Sequence, residues 1–496
     1  MNNILSVSNH QIFELKTIPI LEYSIFYKQT LDLLKNNNNH CIQYTIFKIN
    51  HIDHLIIFIS ECLNNQIVIF ATPYNSNETY PCLSKENMGL FSFEQKLVMY
   101  YNVHLQGLEM LEFDYIKNNL LFHIQSEDLH EVGVGPIHAG IIEPGHFRFI
   151  CNGEDIYNLE IKLNYQHRNV ISNFLKIEDN FAKKYLKNHV LAESIASDST
   201  LAHNWAYTSA VEALSNIEVP YNIEIQRTIS LEIERIAMHL ADCGNMCIGI
   251  AYQLGQVVIE SLRTLTINTL QLICGNRFGK GLIRIGGTQY PYDENILIAI
   301  RKNLTVIQER FNPLIERMLE MPSVMVRLDG IGTVTQDQIL QIGASGFVAK
   351  SVGLKKDIRH TQPWSVYKNN GFEPITVDSG DLLARFTLRK LEINQSVEII
   401  FSWIDAILNF RENYIKPNFQ IQLSPLQAVI SMVEGFRGEI AHIITTDDKG
   451  NFSNYSIKDV SQQNWLALSL AVRNHEISDF PINNKSFNLS YCGNDL

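Results

Sequence analysis

Ile225, Ile229, Ile233, Ile236 and Leu240 recur at steps of four, four, three and four. That spacing draws an apolar stripe along about four turns of α-helix and marks a helix packed in a bundle core. Glu232, Arg235 and His239 interrupt the same segment at i, i+3 and i+7, so they share one face of the helix. Charges buried in a bundle need partners. Two readings fit the three: structural ion pairs, or a path for protons.

The rest of the chain divides by pattern. Leu21–Leu34 reads as a helix and the polar run Asn36–Asn39 as a loop. Cys41–Ile49, Leu55–Ser60 and Gln66–Thr72 read as strands rich in Ile, Val and Phe, with Asn64-Asn65 as a hairpin turn. Phe93–Tyr101 follows as a helix, and residues 1–120 make a small α/β domain. Residues 125–165 alternate like strands, punctuated by Gly133, Gly135, Gly140, Gly145 and Gly153. From about 170 the chain turns helical. Gly330–Gly353 has no clear period and reads as irregular. Asp381–Ala406 is helical again, and the end from Gly438 is β-rich, then helical, then a tail. The fold class is α+β, with residues 125–496 a mainly helical second domain carrying peripheral β structure.

Composition narrows the function classes. The 496 residues are 46% hydrophobic and carry a formal charge of −12, which leaves no basic footprint for nucleic acid. The N-terminus MNNILSVSNHQIFELK lacks the basic start and apolar core of a secretory signal. No apolar run reaches the roughly 20 residues that span a bilayer, so the expected location is cytoplasmic, peripheral to the inner membrane through partners. None of the eight cysteines forms a Cys-x-x-Cys pair. Cys243 and Cys247, one helical turn apart, read as core packing or as half of a metal site. No phosphate-binding loop or dinucleotide fingerprint appears, so NAD binding by this chain itself is not expected, although a complex containing it could oxidise NADH elsewhere.

Three stretches carry a resemblance: EVGVGPIHAGIIEPGHFRFICNGEDIYNLEIKLNYQHR at 131–168, ESIASDSTLAHNWAYTSAVE at 193–212, and the terminal SFNLSYCGNDL. With GNRFGKGLIRIGG and EGFRGE, they are similar to the large subunit of formate-hydrogenlyase and hydrogenase-4 type nickel–iron hydrogenases, and to its relative, the D-type subunit of complex I. FEQKLVMYYNVHLQGLEM, ahead of them, resembles a degraded acidic motif of the C-type subunit fused to it in that family.

The resemblance implies a site and its losses. The two Cys-x-x-Cys pairs that hold nickel and iron in the hydrogenases fall here on Ala196 and Ser199, and on Ser490 and Gly493. A thiolate is the soft ligand such a metal needs; the chain is expected to hold no metal or other cofactor. In complex I the hairpin matching GPIHAGIIEPGHFRF enters the quinone pocket, which puts the hydrogen bond to a quinone on His146, with His138 beside it. Both histidines read equally well as structural groups held by backbone carbonyls. The pocket tyrosine falls on Ser197, its histidine-linked aspartate on Gly249, the arginine near the partner's last iron–sulfur cluster on Ser194, and the cluster-linked histidine on Gly279. Glu434, in EGFRGE, matches a stretch near the hydrogenase active site, and Glu193 opens the first degenerate motif. The expected partners are a B-type iron–sulfur subunit, which holds the cluster, and proton- or ion-translocating membrane subunits. Two functions remain open: an oxidoreductase subunit of the NADH:quinone type whose candidate catalytic residues are His146, His138, Ser197 and Glu434, and a non-catalytic scaffold of an ion-translocating complex.

Overall fold

The computed structural model describes residues 4–108, 126, 128–138, 143–176, 181–408 and 421–496. Gly140, the end of the FEQKLVMYYNVHLQGLEM stretch and the boundary between the two expected domains lie outside them. The N-terminal unit is built on a four-stranded sheet of β1 (Leu5–Val7), β3 (Asn39–Ile49), β4 (Ile52–Glu61) and β5 (Gln66–Pro73), in the order β1-β5-β4-β3. Asn65 takes the left-handed conformation (φ 52°) that the tight β4–β5 turn requires.

Both faces of this sheet are covered. Leu55, Ile57, Ile59, Val68 and Phe70 pack with Phe26 and Leu34 of α1 (Tyr23–Leu34) and Phe93 of α2 (Phe91–Tyr101). Ile56, Phe58, Ile67 and Ile69 point the other way, into the core of the larger unit. That double burial is why these strands read as continuous apolar runs. All four pair antiparallel, as the hairpin turn at Asn64-Asn65 implies for β4 and β5. Among the described strands, only the short β6 (Thr79–Pro81) and β7 (His104–Gln106) pair in parallel.

The larger unit opens with the antiparallel strands β8 (His130–Val134), β9 (His146–Asn152) and β10 (Asp155–Lys162), followed by α3 (Val170–Leu175), α4 (Phe181–Ala192) and α5 (Thr200–Leu214). At its centre is α6 (Tyr221–Gly249), which carries the isoleucine stripe and is buried on nearly every side. Around it pack α7 (Gln253–Cys274) and α13 (Leu382–Ile407), with α8 (Glu294–Leu319) against both. The two-residue strands β11 (Ile283–Arg284) and β12 (Gly287–Thr288) close the GNRF…RIGG segment.

A second four-stranded sheet has the order β15-β14-β13-β2, from β13 (Gln427–Glu434), β14 (Glu439–Thr446), β15 (Phe452–Asp459) and the N-terminal β2 (Ile12–Glu14). Residues 4–15 thus stitch the two units together, β1 in one sheet and β2 in the other. Strands of three residues are too short to show a period. The chain ends in α14 (Ser461–Ala471), α15 (Phe480–Phe487) and α16 (Tyr491–Asn494).

Two expectations change. The segment read as irregular contains α10 (Gln336–Gln341) and α11 (Gly346–Lys350), with the short α9 (Pro322–Met325) ahead and α12 (Ile358–Thr361) behind. Thr335 and Gln338 form a reciprocal capping box at α10, a local signal that the glycines obscured. Also, α7 has 22 residues and is apolar enough, by length and composition, to cross a membrane. It packs on α6 and α8, and 44% of its most apolar window is buried.

Candidate functional site

Four segments converge on one place: the 193–199 loop between α4 and α5, the β13–β14 turn, the β8–β9 hairpin and the C-terminal α16. Arg437, in the turn, makes a two-pronged ion pair with Asp198 of the loop, at 2.9 and 2.5 Å, and its Nε donates to the Asn488 carbonyl. Arg168 donates to the carbonyls of Ser194 and Ile195 at 2.6 and 2.7 Å, and to that of Cys492 at 3.3 Å. The hairpin lies against α16 so closely that a Cβ on Gly145 would sit 2.6 Å from the Tyr491 ring. Burial, then the Glu143 carboxylate of the hairpin, pushes the Cys492 thiol up to about 12.

The four positions that match the hydrogenase cysteines sit at this convergence. Ala196, Ser199 and Ser490 are buried. Ser490 Oγ accepts from the Gly493 N–H at 2.9 Å and caps α16. A Cβ on Gly493 would lie 2.7 Å from Asp459 Oδ2 and 2.9 Å from Ser490 Oγ, so the Asp459 carboxylate fills the space of a side chain there.

That carboxylate is held firmly. Its Oδ1 accepts from the Ser461 N–H at 2.8 Å, and its Oδ2 from His203 Nε2 at 3.3 Å. A carboxylate that accepts from Nε2 leaves Nδ1 of a neutral His203 as an acceptor, 3.2 Å from His442 Nε2; His442 Nδ1 in turn takes the Tyr455 hydroxyl at 2.8 Å. Burial works against ionised Asp459, but His203 and Arg437 hold it at about 2. Two other lost positions are also filled: a Cβ on Gly279 would meet Leu201 at 2.8 Å, and one on Gly249 would meet Ile482 at 3.0 Å.

The candidate residues separate. His138 and His146 share the hairpin. His138 Nε2 donates to the Gly145 carbonyl at 2.7 Å, and His146 Nδ1 to the Gly135 carbonyl at 3.2 Å. Ser197 is exposed on the loop. Glu434 is buried at the end of β13, where Oε2 accepts from the Ile358 N–H at 3.0 Å. Among the described residues, no hydrogen bond joins Ser197 or Glu434 to either histidine. Glu193 instead organises the RIGG segment, accepting from Asn204, Gly281 and Arg284 at 2.9–3.1 Å.

Beneath the convergence lies a buried charge network. Glu232 accepts from Arg235, Arg359, Tyr367 and Ser396 at 2.6–3.1 Å. Lys350 lies 2.9 Å from Asp357, 2.5 Å from Glu392 and 3.6 Å from Glu434. Glu392 also takes His239 Nε2 at 2.7 Å. Three cations, Arg235, Lys350 and Arg359, match the carboxylates Glu232, Glu392 and Asp357, which leaves Glu434 surplus. Burial and the Asp357 charge hold the Glu434 carboxyl well above the ordinary range, so it keeps its proton at neutral pH. Burial likewise lowers His239 to about 4 and keeps it neutral. The interruptions of the α6 stripe are all paired.

Sequence reasoning missed the Arg437–Asp198 pair, Asp459 and the His203–His442–Tyr455 chain. Arg437 and His203 stand inside the quoted motifs. Nothing in the sequence signals that Asp459, on a strand far along the chain, enters the same space.

Residues 256–425 match the family model described as "Respiratory-chain NADH dehydrogenase, 49 Kd subunit". The chain is similar to the membrane-bound hydrogenase subunit alpha of Pyrococcus furiosus, 26% identical over 71% of this chain and 84% of the relative. It is similar to hydrogenase-4 component G of Escherichia coli, 25% identical over 72% of this chain but 60% of that protein. The D-type subunit of the NADH-quinone oxidoreductase of Dehalococcoides mccartyi is 26% identical over 70% of this chain and 93% of its own length.

Proposed function

This chain is a relative of the large subunits of membrane-bound hydrogenases and of the D-type subunit of NADH-quinone oxidoreductase, and from that kinship we propose that it is a hydrophilic subunit of a complex of this kind without a nickel–iron centre of its own. The observation that carries the reading is the filling of the Gly493 position by the Asp459 carboxylate. Ala196 supplies no donor, and the Ser199 and Ser490 hydroxyls are hard ligands for a site that needs thiolates. Cys492 is a single thiol whose proton is held tightly. The residues present do not fit the metal centre.

In the assembly the chain docks a B-type iron–sulfur subunit and sits on proton- or ion-translocating membrane subunits, on the cytoplasmic side and peripheral to the inner membrane. Residues 1–120 take the C-type place and 125–496 the D-type place; the shared core between the N-terminal sheet and α6 supports a fused pair working as one body. The test is elemental analysis and a hydrogen-turnover assay on the anaerobically purified complex. We expect neither stoichiometric nickel nor hydrogenase activity; stoichiometric nickel overturns the reading.

Whether the subunit also shapes an electron-acceptor pocket turns on the hairpin. His146 uses Nδ1 on the Gly135 carbonyl, which leaves Nε2 for a ligand such as a quinone. The filling of Gly249 and Gly279 by Ile482 and Leu201 supports the other role, a scaffold that couples the cytoplasmic and membrane parts.

A further inference from the structure

Cys62 follows the β4 strand at the tip of the β4–β5 hairpin, far in sequence from every motif above. It is partly exposed. His40 and Ser60 pair across β3 and β4, so Cys62, two residues beyond Ser60, emerges on the same face as His40. The Cys62 Sγ lies 3.8 Å from His40 Nδ1 and 3.7 Å from Ser60 Oγ. The other ring nitrogen, Nε2, lies 2.6 Å from Glu439 Oε2. Glu439 Oε1 takes Lys458 Nζ, also at 2.6 Å. Nucleophile, imidazole and orienting carboxylate thus stand in line at the seam between the two units, contributed by the end of β4, by β3 and by β14.

The charge count favours an ionised sulfur. Glu439 and Lys458 cancel each other. The remaining groups that face Cys62 are His40 and the buried Lys356. Among the described residues Lys356 forms no ion pair within 4 Å. With His40 protonated, His40 and Lys356 stand as two cations facing no further anion, and the thiolate offsets one of them. Burial works against the thiolate, but His40, with Lys356 and Ser60, outweighs it and the Cys62 thiol lies below its ordinary value. Burial works against protonated His40, but Glu439 and Cys62 together outweigh that and hold it above its ordinary value. Burial pushes the thiols of Cys41, Cys151, Cys243, Cys247, Cys274 and Cys492 the other way.

We propose that Cys62, paired with His40, is a site of reversible oxidation by hydroperoxides. The thiolate attacks one peroxide oxygen; an S–O bond forms as the O–O bond breaks. Sulfur is oxidised by two electrons to the sulfenic acid, and the leaving hydroxide or alkoxide takes the proton of the His40 imidazolium and departs as water or alcohol. Two equivalents of a thiol reductant restore the thiol, the first forming a mixed disulfide with loss of water and the second releasing Cys62 by exchange.

The other partly exposed cysteine, Cys492, is an internal control in the same chain. Timed iodoacetamide labelling of the reduced, intact chain between pH 6 and 9, read by peptide mass spectrometry, should mark Cys62 first. At pH 7 we expect it to react at least about tenfold faster than Cys492, with a half-maximal pH below the roughly 8.5 of a free thiol. One equivalent of hydrogen peroxide with dimedone should give an adduct on Cys62. His40→Asn should move the labelling midpoint upward. If that variant fails to fold, Lys356→Met, which removes one cation, should move it the same way by less. Equal rates at Cys62 and Cys492, or a midpoint unchanged from a free thiol, overturn the thiolate pair. Fast alkylation without a dimedone adduct overturns the oxidation.

Discussion

The floor of the site, where α6 meets α13 and β13, and its rim, the β8–β9 hairpin, treat polar side chains in opposite ways. On the floor each charge is satisfied by another side chain: Glu232 by two arginines, Lys350 by Asp357 and Glu392. On the rim each histidine is held through one ring nitrogen by a backbone carbonyl of its own hairpin. Pairs on the floor reach as far as Glu232 to Arg359, more than a hundred positions apart, and removing one member strands a buried charge. A rim histidine ties a loop to itself, so its loss is local. The floor is tied by side-chain pairs across elements; on the rim, His146 Nε2 has no hydrogen-bond partner among the described residues.

Glu232→Gln should break that contrast most sharply. It leaves Arg235 and Arg359 facing each other without their shared carboxylate, and breaking a buried pair in this way costs about 3–5 kcal/mol. Chemical denaturation of variant and wild type reads it directly. A loss below about 1 kcal/mol would mean that the floor is held by packing and not by its charges.

Glu234, two residues on, gives a pH signature. Its carboxyl accepts from the Leu201 and Ala202 N–H groups, and burial pushes it to about 8, against 4.5 for the unperturbed group. The folded chain keeps a proton that the unfolded chain loses in this window. This contribution to stability is therefore full below the unfolded value and falls as pH rises toward the folded one, by about 1.4 kcal/mol per unit. Denaturation at pH 5, 6 and 7 should show that slope, and Glu234→Gln should flatten it. A slope unchanged in the variant would move its origin to another group, with Glu434 the next to test.

Gly493→Cys probes the place where the two regions meet. A new side chain must displace the Asp459 carboxylate, an overpacking cost of about 1–3 kcal/mol. Asp459→Ser in the same chain should recover part of that loss, because the two positions share one space. Additive losses in the double variant would place the strain elsewhere.

What the sequence makes legible follows from the range of the interactions. The α6 stripe, the three charges on its face and the Asn64-Asn65 turn are local patterns, and each is found as read. That the charges must be paired was legible; that Arg359 and Glu392 pair them was not, because these partners come from segments with no shared spacing. The motifs show that Ala196, Ser199, Ser490 and Gly493 lack thiolates, but only the packing shows Asp459 in the vacated space. The Cys62–His40–Glu439 line is invisible for the same reason, since it is assembled from three strands, one of them some four hundred residues away.

The smallest expected effect on stability is at the rim, and it bears most on function. His146→Ala removes one bond to the Gly135 carbonyl on a partly buried side chain, worth about 0.5–1.5 kcal/mol at most. With Nδ1–H committed to that carbonyl, a neutral His146 presents Nε2 only as an acceptor. It donates a hydrogen bond to a quinone oxygen only as the imidazolium. If the hairpin serves an acceptor pocket, His146→Ala should lower the kcat of quinone-analogue reduction by the assembled complex. His138→Ala should act differently: its Nε2 holds the Gly145 carbonyl at the point where the hairpin touches Tyr491, so its loss should loosen the hairpin and raise KM while kcat is kept. An active wild type whose rate survives His146→Ala removes the residue from the pocket. A wild type that reduces no quinone at any pH leaves the scaffold role, with the rim histidines as the fasteners of a loop.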